Sequence, residues 1–314
     1  MSGANGNGHG NGHGNGNGNG ASVAPRPSLL TAVPGERWRI LRSRIWTGVC
    51  VACAGIVLLP LFSILIYVIT RGASGLSVAF FTHLPVPVGE PGGGMGNAVV
   101  GSLILIGLAS LFGLPVGILA GVYLSEVGRR GRLASAVRFI ADVMSGLPSI
   151  TIGVFVYALM VVTMKRFSAL AGGVALAIVM VPTITRTTEE LLRLVPAHLR
   201  EASLALGVPA WRTTLFVVLR TAAPGIATGV MLAVARISGE TAPLIFTAFN
   251  NRFWSFALDR PMASMPVQIL TYATSPYKEW QDQAWTGAMV LVVLILFLNL
   301  AARLIAARSM GAAR

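Results

Sequence analysis

Apolar positions gather into six long runs separated by polar passages, and these runs set the first expectation for the fold. They cover about residues 46–69, 97–124, 139–162, 169–184, 222–248 and 285–305. A helix needs roughly 20 apolar residues to cross a bilayer core, and within lipid it satisfies its own backbone polar groups. The pattern therefore predicts an all-α integral membrane protein with six transmembrane helices and no sizeable soluble domain. Two runs contain breakers. In SGLPSI at 145–150, Pro148 removes a backbone hydrogen bond beside Gly146, which predicts a kink or break inside the third span. The fourth run is short for a crossing unless it is tilted, or interrupted at Gly172, Gly173 and Pro182.

The polar passages assign the sides. Passages 26–45, 129–138 and 186–220 and the C-terminal end hold 17 of the 24 basic residues. The opposite loops hold Arg71, Lys165, Arg166, Arg252, Arg260 and Lys278, and Arg236 lies within a span. By the positive-inside rule both termini are cytoplasmic, and six crossings agree with that parity. Trp46, Trp211, Trp254, Trp280 and Trp285 fall at or near span ends, as an aromatic belt predicts. The net charge of +13 therefore reports topology and is not a nucleic-acid signature. Only 11% of residues are charged, against roughly 25% in soluble domains.

The expected organisation is a Gly/Asn-rich disordered cytoplasmic tail at 1–35, a first span with its outer loop at 36–95, and a core of five spans at 96–308. The tail lacks the charged and apolar regions of a signal peptide. Metal binding finds little support. His9 and His13 stand apart in the tail, and Cys50 and Cys53 sit in an apolar run with no further ligand nearby. PGGGMG at 91–96 delivers the chain back into the bilayer, and G-x-x-x-x-G-K-[ST] occurs nowhere in the chain. Glu126 and the 129–138 basic run close the second span, and Asp142, four residues after Arg138, is read as its helix-end ion-pair partner.

The chemistry concentrates between Thr185 and Thr247. Residues 186–220 form a long charged, amphipathic passage expected to lie outside the membrane. Leu199, Ala202, Ala205 and Leu206 give one apolar face about two turns long. Gly207 permits the positive φ that ends such a helix, and Pro209 suits the first turn of a second one. The product is a helix–Gly–helix element suited to docking a partner protein, or to lying on the membrane surface. Within the fifth run stand Arg236 and, one turn further on, Glu240. At about 1.5 Å per residue from Ala222, Arg236 lies roughly 20 Å into the span. A charge there costs on the order of 2.5–3.5 kcal/mol and seldom faces lipid. Two readings are open: a mutual ion pair that helps the bundle pack, or an arginine facing a translocation path and holding two oxygens of an oxyanion. In the second reading Glu240 weakens the grip enough for release, and Gly239 and Pro243 allow close packing and a bend.

The order Glu201-Ala202-Ser203-x-x-x-Gly207 resembles the EAA loop of ABC importer permeases. The surrounding text is more specific. RTTEELLR at 186–193, VPxxLREASxALGxxxW at 195–211 and ARxSGETAPLIFTA at 235–248 resemble the PstA-type permeases of phosphate importers. GNAVVGSL at 96–103, SGLPSI, SMPVQI at 264–269 and YATSPYKEWQDQAW at 272–285 extend the resemblance over about residues 95–308. One departure is Arg220, where the family pattern V-V-L-P-A places proline, leaving Pro224 as the marked break entering the fifth span.

The resemblance implies a type I ABC importer permease fold in the bacterial inner membrane, providing half of a phosphate pathway. It implies coupling through Arg200, Glu201, Ala202, Ser203 and Gly207 in the loop 186–220. It places the substrate pathway at Arg236, Glu240, Thr241 and Ser149. The implied partners are homodimeric ATPase subunits, a second, PstC-type permease, an extracytoplasmic phosphate-binding protein and membrane lipid. No cofactor is expected on this chain, ATP and magnesium belonging to the ATPase. The rivals are a permease for another oxyanion and a secondary anion transporter, although no inverted repeat is evident. An intramembrane enzyme using Ser149 or Ser238 lacks a His or Lys within the membrane to activate either.

Overall fold

The computed structural model describes residues 36–90, 92–128 and 131–311, and among these every regular element is helical. The expected tail, 1–35, lies outside the described residues, as do Arg129 and Arg130. In chain order the elements are α1 (Glu36–Gly72), α2 (Val78–Thr82), α3 (Gly96–Val122), α4 (Arg132–Gly146), α5 (Ser149–Val156), α6 (Val162–Met164), α7 (Ala169–Leu194), α8 (Ala197–Ala205), α9 (Ala210–Arg212), α10 (Leu219–Ser238), α11 (Ala242–Thr247), α12 (Met265–Ala273) and α13 (Lys278–Gly311). Wider π turns follow α3, α5 and α9 at Tyr123–Val127, Tyr157–Val161 and Thr213–Val218.

Two compact units are distinguished, residues 1–61 and 62–314. The described part of the first is the leading portion of α1, whose large apolar side chains and both free cysteines are exposed. An apolar surface all round suits a helix surrounded by lipid. In the second unit α7 is the central element. Of its apolar window 67% is buried, against 22–28% for the windows in α3, α10 and α13.

Small residues allow that centrality. Gly113, Gly117 and Gly121 recur every four residues on α3 and meet Met180, Ile184 and Thr188 at the same spacing on α7. A Cβ at Gly117 would lie 2.7 Å from that of Ile184, so only glycine permits this approach. Between helices in lipid, where apolar burial gives no net drive, such close packing holds the pair together. Leu105, Ala109, Leu176, Met180, Ile184, Ala233, Ile237 and Leu244 complete the main core across α3, α7, α10 and α11.

Among the described residues five helical stretches are long and apolar enough to cross a membrane, and α4 with the α5–α6 arm makes a sixth if the pair is one span. The arms are bent by 106° at Leu147–Pro148, where SGLPSI predicts a break. Four other expectations are corrected. α7 does not stop near residue 184 but runs unbroken through Gly172, Gly173 and Pro182 to Leu194, so 186–194 is helix and not loop. Its charges are tolerated because α4 supplies counter-charges. Asp142 pairs with Arg186 of α7 (Arg186 Nε 2.9 Å from Oδ1), while Arg138 pairs with Glu189. The expected Arg138–Asp142 pair is replaced by two bridges between helices. The fifth span ends as a regular helix at Ser238 and restarts at Ala242, since Pro243 has no N–H with which to continue the ladder. Pro224 does not mark the break into that span. It lies inside α10, and the irregularity is the π turn at Thr213–Val218.

The outer loops are ordered around the start of α7. Ser168, Ala169 and Leu170 donate backbone N–H groups to the carbonyls of Thr247, Arg260 and Leu258, satisfying helix-terminal donors. Asn97 donates to the Asn251 carbonyl (2.6 Å), and Met265 N–H to Ser102 Oγ (2.7 Å), tying the top of α3 to this loop. The loop also contains α12, and the last span's helix begins at Lys278, ahead of the expected Trp285.

Candidate functional site

The segment leaving α7 is a short helix held by its inner face. Pro196 directs the chain into α8, and Leu199 packs on a small core of Leu192, Val195, Val218, Ala222 and Ile226. Arg200 turns inward. Its Nε and Nη2 donate to the two carboxylate oxygens of Glu126 (3.1 and 2.8 Å), while Nη1 and Nη2 donate to the carbonyls of Val195 (2.6 Å) and Leu192 (2.7 Å). Those carbonyls belong to the end of α7, where backbone acceptors lack helical partners. The Arg200 and Glu126 side chains are only 14% and 9% exposed. Losing one member of such a buried pair costs about 3–5 kcal/mol. Ser203 and Thr213 are buried with their hydroxyls 2.9 Å apart, linking α8 to the turn that starts the fifth span.

α8 ends as its sequence requires. Gly207 has φ +78°, Gly207 N–H donates to the Leu204 carbonyl (2.9 Å), and Val208 N–H donates to that of Ser203 (3.2 Å). This is the Schellman arrangement, in which a left-handed residue lets the chain turn back over the last carbonyls. Pro209 then precedes α9. Of the residues matched to the EAA pattern, Glu201, Ala202 and Gly207 are exposed, whereas Arg200 and Ser203 face inward. Leu194, Leu204, Leu206 and Trp211 are exposed beside them, Leu206 at 83%. A groove of about 630 Å³ lies between Arg193, Pro196, Ala197, Arg200 and Glu201. An exposed apolar patch with a charged border is the kind of surface that meets a protein partner or a membrane.

A second polar group lies at the break in the fifth span. Arg236, in the last turn of α10, is half exposed (52%), and its Nε lies 3.9 Å from Glu240 Oε1, beyond hydrogen-bond distance. Glu240 is 19% exposed. Gly239 is not a close-packing point, since a Cβ there would meet nothing nearer than 3.9 Å. Close approach falls instead at Gly153, where a Cβ would lie 2.6 Å from Pro243 Cα. The broken third and fifth spans therefore touch through α5 and α11. Ser149 begins α5 one turn before Gly153, and Thr241 precedes α11; both are half-buried. Among the described residues no hydrogen bond joins Ser149, Thr241 and Arg236. The guanidinium thus keeps donors available on a face that this chain leaves open.

Sequence reasoning passed over Glu126 and Glu189 as site-forming residues. Glu189 is 2% exposed and accepts from Arg138 (2.7 Å), Arg193 (2.5 Å) and Arg186 (3.4 Å). Arg138 also donates to the Leu124 carbonyl (2.9 Å). The Arg193–Glu189 contact, at four residues' spacing, was open to a local reading; the Arg138–Glu189 and Arg200–Glu126 contacts were not.

Comparison with known proteins agrees with this architecture. The family model for the binding-protein-dependent transport system inner membrane component matches residues 113–310. The phosphate transport system permease protein PstA of Yersinia pestis is 46% identical over 273 residues, covering 87% of this chain and 92% of that protein. PstA of Pasteurella multocida is 46% identical over 77% of this chain and 86% of its own length. PstA 1 of Mycobacterium tuberculosis is 38% identical over 80% of this chain and 82% of its own. Among solved structures, a chain of the inward-facing MetNI methionine ABC transporter superposes with a TM-score of 0.55 at 21% identity, over 68% of this chain and 96% of that chain. At that identity the likeness establishes the fold, that of a type I ABC importer permease.

Proposed function

Because the chain belongs to the PstA family of phosphate transport system permease proteins, we propose that it is the transmembrane subunit of an ATP-driven phosphate importer. The observation that carries this reading is a single stretch in which a Gly-capped surface helix, α8, leads through α9 and a π turn into α10, the helix that carries Arg236 in its last turn. α8 docks on a separate ATPase, present as two copies, and presents Glu201, Ala202 and the apolar side chains around Leu206. This chain hydrolyses no ATP itself, as no phosphate-cradling G-x-x-x-x-G-K-[ST] loop is present in its sequence. A second permease of PstC type completes the pathway, and an extracytoplasmic binding protein delivers phosphate. Arg236, with Glu240, Thr241 and Ser149, lines this chain's half. The setting is the bacterial inner membrane with both termini cytoplasmic, a topology supported by the clustering of basic residues.

The deciding experiment is uptake of labelled phosphate by proteoliposomes holding the full complex. Uptake is expected only with ATP and the binding protein together. ATP-independent uptake driven by a proton gradient would support a secondary carrier, and preference for another oxyanion would change the substrate.

The docking role has its own test. At φ +78° a β-branched side chain is strained by about 1–2 kcal/mol or more, so Gly207→Val reshapes the corner after α8. The variant is expected to insert in the membrane but to lose its ATPase on co-purification. Recovery of an intact, transporting complex would refute docking through this corner.

A further inference from the structure

Glu126 is buried far from Arg236 in sequence, and the transport reading so far gives it no part. It lies in the π turn that widens the end of α3, where Ser125 Oγ donates to its Oε1 (3.0 Å) and Arg200 binds both of its oxygens. Arg200 belongs to α8 and immediately precedes Glu201 of the exposed docking face. The same guanidinium holds the terminal carbonyls of α7, so one side chain joins the ends of three helices. α3 and α7 are in turn locked by the glycine seam, and move as one body wherever that seam stays closed.

Besides its covalent links and the packing of Leu199, α8 has two side-chain polar attachments to the membrane helices among the described residues. One is the Ser203–Thr213 bond, leading to α10 and Arg236. The other is Arg200–Glu126, leading to α3 and α7. We propose that Glu126 is a positioning residue for transport, coupling displacement of α8 to the α3–α7 pair through its paired bonds to Arg200. Without it, a push on α8 is absorbed at the Val195–Pro196 link while α3 stays in place. This inference rests on the reading of α8 as the ATPase-coupling helix of an importer.

The test is the number of phosphate ions imported per ATP hydrolysed by the complete reconstituted complex. Glu126→Gln is expected to lower that ratio by roughly 5–150-fold, the usual range for coupling between sites. Glu126→Asp, which keeps the charge, is expected to recover part of it. The decisive variant replaces both partners, Glu126→Leu with Arg200→Met. Removing both members of a buried ion pair is often neutral for stability, so a merely structural pair predicts that this double variant regains both assembly and coupling. A positioning role predicts normal assembly with the ratio still depressed. Recovery to within about twofold of the unmodified complex overturns the proposal, as does an unchanged ratio for Glu126→Gln. Failure of all three variants to assemble makes the pair structural and overturns it as well. Absence of ATP-dependent uptake in the unmodified complex would instead reject the importer reading itself.

Discussion

Arg236→Gln is expected to abolish phosphate uptake by a complex that still assembles. The first half rests on the proposed place of Arg236 in the pathway, the second on its exposure. The Arg236 side chain is 52% exposed within this chain and, among the described residues, makes a 3.9 Å approach to Glu240 as its ionic contact, so its loss there leaves no tight pair broken. Its guanidinium is free to offer two charge-assisted hydrogen bonds to a tetrahedral oxyanion, each worth about 1.5–3 kcal/mol. Losing both corresponds to roughly 10²–10⁴-fold in transport at limiting phosphate. Arg236→Lys keeps the charge and loses the planar fork, and is expected to fall between. The measurement is initial uptake rate in proteoliposomes, normalised to complex recovered by size exclusion. Normal uptake with Gln at 236 would return Arg236 and Glu240 to the packing role that the sequence also allowed.

The sequence showed the parts of this fold that depend on local chemistry. The break at Pro148, the left-handed corner at Gly207 and the existence of each apolar element follow from residue type and spacing, and the structure has all three. The misplaced end of the fourth span has a definite cause. Arg186, Glu189 and Arg193 read as a water-exposed loop because charge next to an apolar run ordinarily means the end of a span. The partners of Glu189 and Arg186, Arg138 and Asp142, lie 51 and 44 residues away, and only the packing of α4 on α7 brings them together. The same limit concealed Glu126, 74 residues from Arg200. The glycines at 113, 117 and 121 are different. Their spacing is a helix-packing signal visible in the sequence, but it does not name the helix they receive. For the candidate site, the stretch was legible while its geometry was not. Which residues of α8 face inward depends on a core contributed by α7 and α10.

Glu189→Gln is expected to destabilise the protein strongly. Its carboxylate is 2% exposed and sits among three guanidinium groups, with Arg138 and Arg193 at 2.7 and 2.5 Å from the same oxygen. The amide keeps the shape, yet it removes the negative charge that pairs with Arg138 and turns an NH₂ donor toward donors. Arg138 also binds the Leu124 carbonyl, so it cannot swing away without freeing a backbone acceptor at the end of α3. Breaking one side of a buried ionic group costs about 3–5 kcal/mol, roughly 5–10 °C in melting temperature for a chain of this size. Arg193→Gln provides the internal control. It touches the same carboxylate, but the arginine is 53% exposed, and exposed pairs contribute about 0–1 kcal/mol. Thermal unfolding of the purified complex should therefore rank Glu189→Gln well below Arg193→Gln. Equal melting temperatures for the two would mean that the cluster is hydrated in the membrane, and that the burial of Glu189 between α4 and α7 does not hold those helices together.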